Sequence, residues 1–156
     1  MSKLNYTMVA VIVFIVVLFF AMFSERAEAE GYIGLGKSTF NSHMMTGEAG
    51  YRKNNWDVGV QLIGAGQTKN GSNGPVWIGS VSHIIEPDWS IKNYADLFMR
   101  LGVAYVRESN LVGDFNFRLG VGFDMELFEV ELYHISSAGI SNNNTGIDGI
   151  MLRAKF

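Results

Sequence analysis

The chain has no cysteine, which excludes disulfide scaffolds, thiol catalysis and cysteine-ligated zinc. Proline is almost absent, 2 residues against 18 glycines, whereas disordered linkers are usually rich in both. Charge is scarce as well: 17% of the side chains, with a net −3. No basic footprint exists for nucleic acid. At 156 residues there is room for one domain and little more. What remains is oily and thinly charged for a small soluble domain, and it suggests a chain that meets lipid.

The first 29 residues read as one unit. Lys3 gives a short positive start, Met8 to Phe23 is an unbroken apolar run of 16 residues, and Ala27-Glu28-Ala29 has the small-x-small form of a cleavage site. A spanning helix wants roughly 20 apolar residues, so a signal peptide cut before Glu30 is favoured over a retained anchor. The expected domains are therefore a signal peptide, 1–29, and a body, 30–156. The body keeps all 18 glycines, 10 basic and 13 acidic side chains. An exported, glycine-rich, cysteine-free body suits the bacterial outer membrane better than a secreted disulfide scaffold.

Alternation of period two dominates that body. Phe115, Phe117, Leu119, Val121 and Phe123 face one way, with Asn116, Arg118, Gly120 and Gly122 opposite. Leu97 to Tyr105 and Trp56 to Leu62 repeat the pattern. The non-oily face is polar or glycine, with charges in mid-strand, as the crowded lumen of a small membrane barrel requires. A soluble lipid-binding barrel would need an oily interior instead. Eight strands are expected, over 31–39, 45–53, 56–66, 74–85, 97–106, 115–124, 127–138 and 147–156. Turn-rich stretches such as Lys53-Asn54-Asn55 and Ser141-Asn142-Asn143-Asn144 separate them. An open sheet in lipid leaves backbone groups unpaired, so closure is close to obligatory. The fold class is all-β: an eight-stranded antiparallel transmembrane β-barrel. Trp56, Trp77 and Trp89 fit an interfacial belt.

Several motifs carry no chemistry. Gly31 to Ser38 matches the phosphate-loop pattern G-x-x-x-x-G-K-S, but that chemistry needs a strand before it and a helix after it. A first strand with inward glycines explains it better. Asn70-Gly71-Ser72 and Asn143-Asn144-Thr145 fit the glycosylation sequon without the setting for it. His43 and His83 lack a partner at metal-ligand spacing and read as loop and wall residues, and no metal site is expected.

The anomaly lies in 127–156. Phe128, Val130 and Leu132 form the lipid-facing set of the seventh strand. Glu129, Glu131 and Tyr133 face the lumen, the two glutamates near Arg153 and Lys155 as an internal charge pairing. The same parity puts His134 and Ser136 on the lipid side, and in the last strand Asp148 joins Ile150, Leu152, Ala154 and Phe156 there. Ionisable groups facing lipid are functional candidates. A serine two residues from a histidine on one strand face has a base within reach, and a carboxylate on the neighbouring strand can orient the imidazole. The bland reading is a strand end entering the headgroup zone, where such residues cost little.

The stretch His134-Ile-Ser136-Ser137-Ala138-Gly139, followed by Asn144 and Asp148, resembles the signature of the PagL-type lipid A 3-O-deacylases, whose usual motif is H-x-S-N-A-G, then an asparagine and an acid. The spacings from Ser136 match: two back to His134, eight on to Asn144, twelve to Asp148. The resemblance implies an eight-stranded outer-membrane barrel that hydrolyses the 3-O-linked 3-hydroxyacyl ester of lipid A. It gives Ser136 as nucleophile, His134 as base, Asp148 as orienting acid, and Asn144 with the Gly139 amide as oxyanion donors. It implies no cofactor, lipopolysaccharide and membrane lipid as partners, and leaves a homodimer open. Two positions depart from the pattern: Ser137 replaces the usual asparagine, and Asp148 the commoner glutamate. The rival reading is a non-catalytic small barrel serving adhesion or envelope integrity. The segments around Lys69 to Gly74 and Glu108 to Asp114 are expected on the same rim as the 127–156 hairpin.

Overall fold

A computed structural model describes residues 29–156 apart from 93, 108 and 143; the expected leader lies outside the described residues save for Ala29. Eight long strands form the wall: β1 (Ala29–Ser38), β2 (Met45–Lys53), β3 (Trp56–Ile63), β4 (Val76–Ile85), β5 (Ala95–Arg107), β6 (Phe115–Met125), β7 (Phe128–Ser136) and β8 (Ile147–Lys155). Each pairs antiparallel with its chain neighbours, and β1 also pairs with β8, so the sheet closes on itself. The ladder thereby runs round the wall without an edge, which is what lipid demands. The expected eight-stranded barrel is present, with strand ends shifted by a few residues. The largest shift follows Ile63. At Gly64 the chain leaves the wall, and Gly66–Thr68 pairs with Gly71–Asn73 in a small hairpin of its own.

Parity sorts the side chains as the alternation requires. Along β6, Phe115, Phe117, Leu119, Val121 and Phe123 are exposed on the outer face, while Asn116 and Arg118 are buried inside. Trp56, Trp77 and Trp89 are also exposed. Gly31 to Ser38 is strand throughout, so the phosphate-loop match has no helix to present. Its inward positions Gly34 and Gly36 leave room for Met151, and Tyr32 crosses the lumen to Asp57, with Oη donating at 2.9 Å. A β-carbon on Gly50 would collide with that tyrosine's hydroxyl, so a small residue there is what lets the ring cross.

Ion pairs fill the inner part of the lumen. Arg153 and Arg118 converge on Glu48 and Glu131. Arg100 binds Asp57 at 2.7 Å and Glu131 at 3.0 Å, and Arg52 donates to both oxygens of Glu129 at 2.8 Å. Four arginines thus meet four carboxylates. The expected pairing across β7 and β8 holds for Arg153 with Glu131. Lys155 instead binds Asp124 at 2.6 Å, and Glu129 is taken by Arg52 of β2. Lysine at 155 lies beyond the last β7 glutamate, level with the β6–β7 turn, so its nearest acid comes from β6.

Toward the other end the lumen turns apolar. Ile63, Val76, Ile78, Val106, Ile135 and Ile147 are almost fully buried beneath the loops. From the alternation an inward face of polar residues and glycine is expected along the strands. An apolar plug here holds the loop ends of eight strands together where ion pairs would be open to water. The four connections at this end (39–44, 64–75, 108–114 and 137–146) carry the site. At the opposite end two of the three connections, 54–55 and 126–127, are two-residue turns of the kind common in outer-membrane barrels, and the third is the longer 86–94 segment.

Candidate active site

Strand register brings the first two site residues together. His134 on β7 stands directly opposite Asp148 on β8. Both point outward, and imidazole Nδ1 lies 2.7 Å from carboxylate Oδ1. A carboxylate only accepts hydrogen bonds, so Nδ1 carries the proton and Nε2 is left as the basic nitrogen. The His134 side chain is 44% exposed and that of Asp148 23%, so a ligand can reach both.

Ser136 ends β7 on the same outward face, two residues on, about 7 Å along the strand. Its hydroxyl donates to Asn144 Oδ1 at 2.9 Å and accepts from the Ala138 amide at 3.1 Å. Among the described residues no hydrogen bond joins Ser136 to His134. The hydroxyl of the nucleophile candidate is thus directed to the asparagine rather than to the imidazole.

The chain reverses immediately after Ser136. Ala138 (φ 50°) and Gly139 (φ 85°) both adopt the left-handed region, and the Ile140 amide closes the turn on the Ser137 carbonyl at 2.9 Å. Positive φ at both central positions defines a type I′ turn, and glycine takes the second of them without strain. Ser137 faces inward, fully buried, and its hydroxyl donates to Asn144 Oδ1 at 2.9 Å. Asn144 is held further by a bridge to Val112, and the next amide, Thr145, donates to the Leu111 carbonyl at 2.8 Å. Asn70 Nδ2 reaches Asn110 O and Thr145 Oγ1. The loops of 64–75 and 108–114 therefore lie on this rim, as the sequence suggested, and brace the hairpin.

Beside His134 the outer wall is hollowed into a groove of about 360 Å³, lined by Phe40, Leu119, Val121 and Leu132 and bounded by His134 and Asp148. The oily side chains Phe40, Leu119, Val121 and Leu132 thus flank the imidazole–carboxylate pair.

A family model described as "Lipid A 3-O-deacylase (PagL)" matches residues 31–156. The chain belongs to that family. No curated protein matches it in sequence. Among solved structures, the crystal structure of the outer membrane enzyme PagL is similar at 20% identity and a TM-score of 0.58, covering 81% of this chain and 98% of that one. That likeness shows the shared barrel fold. The Yersinia pestis outer membrane protein Ail is 16% identical (TM-score 0.43, covering 84% and 100%), and Neisserial surface protein A 18% identical (TM-score 0.39, covering 82% and 96%). As a lipid A 3-O-deacylase the protein is a hydrolase of the outer membrane, in keeping with its oily closed wall.

Of the residues singled out from sequence, His134 and Asp148 are in contact, and Ser136 and Asn144 are in contact. Gly139 forms the turn between them. Sequence reasoning missed Asn41, whose amide reaches Asp148 from the β1–β2 loop, and the Ala138 amide on Ser136. A polar residue in a short loop carries no periodic signal, so only the closed fold reveals Asn41.

Proposed function

We propose that this deacylase works as a serine esterase whose reacting groups lie on the outside wall, at the loop end of β7 and β8. The observation that carries the reading is the outward-facing His134–Asp148 pair at 2.7 Å, with Ser136 on the same face and the groove alongside. Ser136 Oγ attacks the carbonyl carbon of the 3-O-acyl ester and passes its proton to His134 Nε2. Asp148 keeps Nδ1 protonated and steadies the imidazolium. The negative charge on the carbonyl oxygen is met by the Asn144 amide and the Gly139 N–H. Collapse expels the sugar 3-hydroxyl, which takes the proton from His134. Water then attacks the Ser136 ester with His134 again as base, freeing a 3-hydroxy fatty acid.

The acyl chain lies along Leu119, Val121 and Leu132, so it need not leave its apolar surroundings. We also read residues 1–29 as a signal peptide removed before Glu30, which intact-mass measurement of the exported protein checks. Pairing of two barrels through their outer walls belongs to the same reading and is tested by cross-linking in membranes.

Mass spectrometry of purified lipid A after incubation with refolded wild type and Ser136→Ala tests the chemistry. Loss of one 3-hydroxyacyl mass with wild type only is the expected result. Equal loss with both proteins would remove Ser136 from the reaction. Unchanged lipid A in both, with folded protein, would mark an inactive member of the family. The serine resting on Asn144 and the exchange at Ser137 are what favour that second reading.

A further inference from the structure

Asn41 sits in the β1–β2 loop, 107 residues before Asp148 in the chain, yet its side-chain amide donates to Asp148 Oδ2 at 3.3 Å. The same nitrogen also donates to the carbonyls of Thr145 at 2.9 Å and Gly146 at 3.2 Å. These are the residues that lead the chain from Asn144 into β8. The loop carrying Asn41 is itself fixed. Thr39 N–H donates to the Asp148 carbonyl at 2.7 Å, Lys69 N–H to the Asn41 carbonyl at 2.8 Å, and Ser42 bridges Thr68. Asn41 is therefore held from the side of the 64–75 loop while it grips the start of β8.

We propose that Asn41 is a positioning residue for deacylation, holding one oxygen of Asp148 so that the other stays aimed at His134. The inference rests on Asp148 orienting His134. The torsion that turns a carboxylate about its own axis is soft, with a broad two-fold profile. His134 engages only Oδ1, which leaves Oδ2 free to swing unless a second donor holds it. Among the described side chains Asn41 is that donor. Its hydrogen bonds to Thr145 and Gly146 set the height of β8's first turnward residues against β7, so one side chain fixes both the acid's rotamer and its seat.

The test is a double-mutant cycle read on lipid A turnover: wild type, Asn41→Ala, Asp148→Ala and the pair, with folding of each confirmed by heat-modifiable gel mobility. Asn41→Ala is expected to lower kcat about tenfold with KM within about twofold, and to change kcat by less than about twofold once Asp148 is alanine, because directly contacting residues couple. Asn41→Leu, close in volume but without the donor or a charge, should match Asn41→Ala, and it replaces the alanine variant if that one fails to fold. An equal fall in both backgrounds would overturn the proposal in favour of a purely structural loop contact. No fall beside intact Asp148 would overturn it too, while leaving the triad standing. If Asp148→Ala alone leaves kcat unchanged, the triad reading fails first and takes this inference with it.

Discussion

His134 and Asp148 occupy one cross-strand pair of the β7–β8 ladder, so strand register, rather than a loop, sets the distance between imidazole and carboxylate. Replacing the acid by its amide keeps the shape and removes the charge. Asp148→Asn should therefore retain the fold while lowering kcat by about 10²–10⁴-fold, since an amide can stabilise the wrong imidazole tautomer. Initial rates on lipid A in detergent, at matched folded fraction, check this; a fall of less than about threefold would show that the carboxylate is dispensable.

Two glycines in the hairpin should respond differently to the same change. Gly146 has φ 87°, and a β-carbon there would lie 2.8 Å from His134 Cε1, whereas Gly139 has φ 85° with open space around it. Both alanine variants bear a left-handed strain of about 1–2 kcal/mol. Gly146→Ala also pushes the imidazole off Asp148. Thermal melts should thus fall by similar amounts for both, while deacylation should collapse for Gly146→Ala alone.

How far the sequence went can be judged from individual residues. The wall was legible because a period of two over eight strands leaves little freedom: Arg118 had to be inside once Phe117 and Leu119 were outside. The outward parity of His134, Ser136 and Asp148 followed from the same rule. The partners of Lys155 and Glu129 were not legible, since they depend on which strands face each other across the lumen. Nor was the apolar plug around Ile63, Ile135 and Ile147, where strand ends read as oily on both faces. Asn41 was invisible for a further reason: its contact with Asp148 joins the first loop to the last strand, and only β1–β8 closure brings those together.

The groove makes a prediction about substrate choice. Val121 and Leu132 face each other in adjacent strands along a hollow of about 360 Å³. Tryptophan at either position fills part of it. Val121→Trp and Leu132→Trp should lower kcat/KM for long 3-hydroxyacyl chains about tenfold relative to short ones, in the range of hydrophobic-pocket discrimination. A chain-length series of lipid A species reads this out, and uniform loss across all lengths would place the acyl chain elsewhere.

Inside the barrel, Arg153 bridges Glu48 and Glu131 with no exposure to solvent. Arg153→Ala leaves two buried carboxylates sharing the remaining arginines, at a cost of about 3–5 kcal/mol. The urea midpoint in lipid vesicles should drop accordingly, while the specific activity of the fraction still folded stays near that of wild type. A midpoint unchanged within error would mean that Arg118 and Arg100 neutralise the cluster by themselves.

The interlocked arginines and carboxylates, capped by the isoleucine-rich plug, fill the lumen with buried side chains. An enzyme of this form can be dense in a membrane without making it leaky. With the reacting groups proposed on its outer wall, its chemistry is turned toward the lipid around it, and substrate arrives by lateral diffusion in two dimensions.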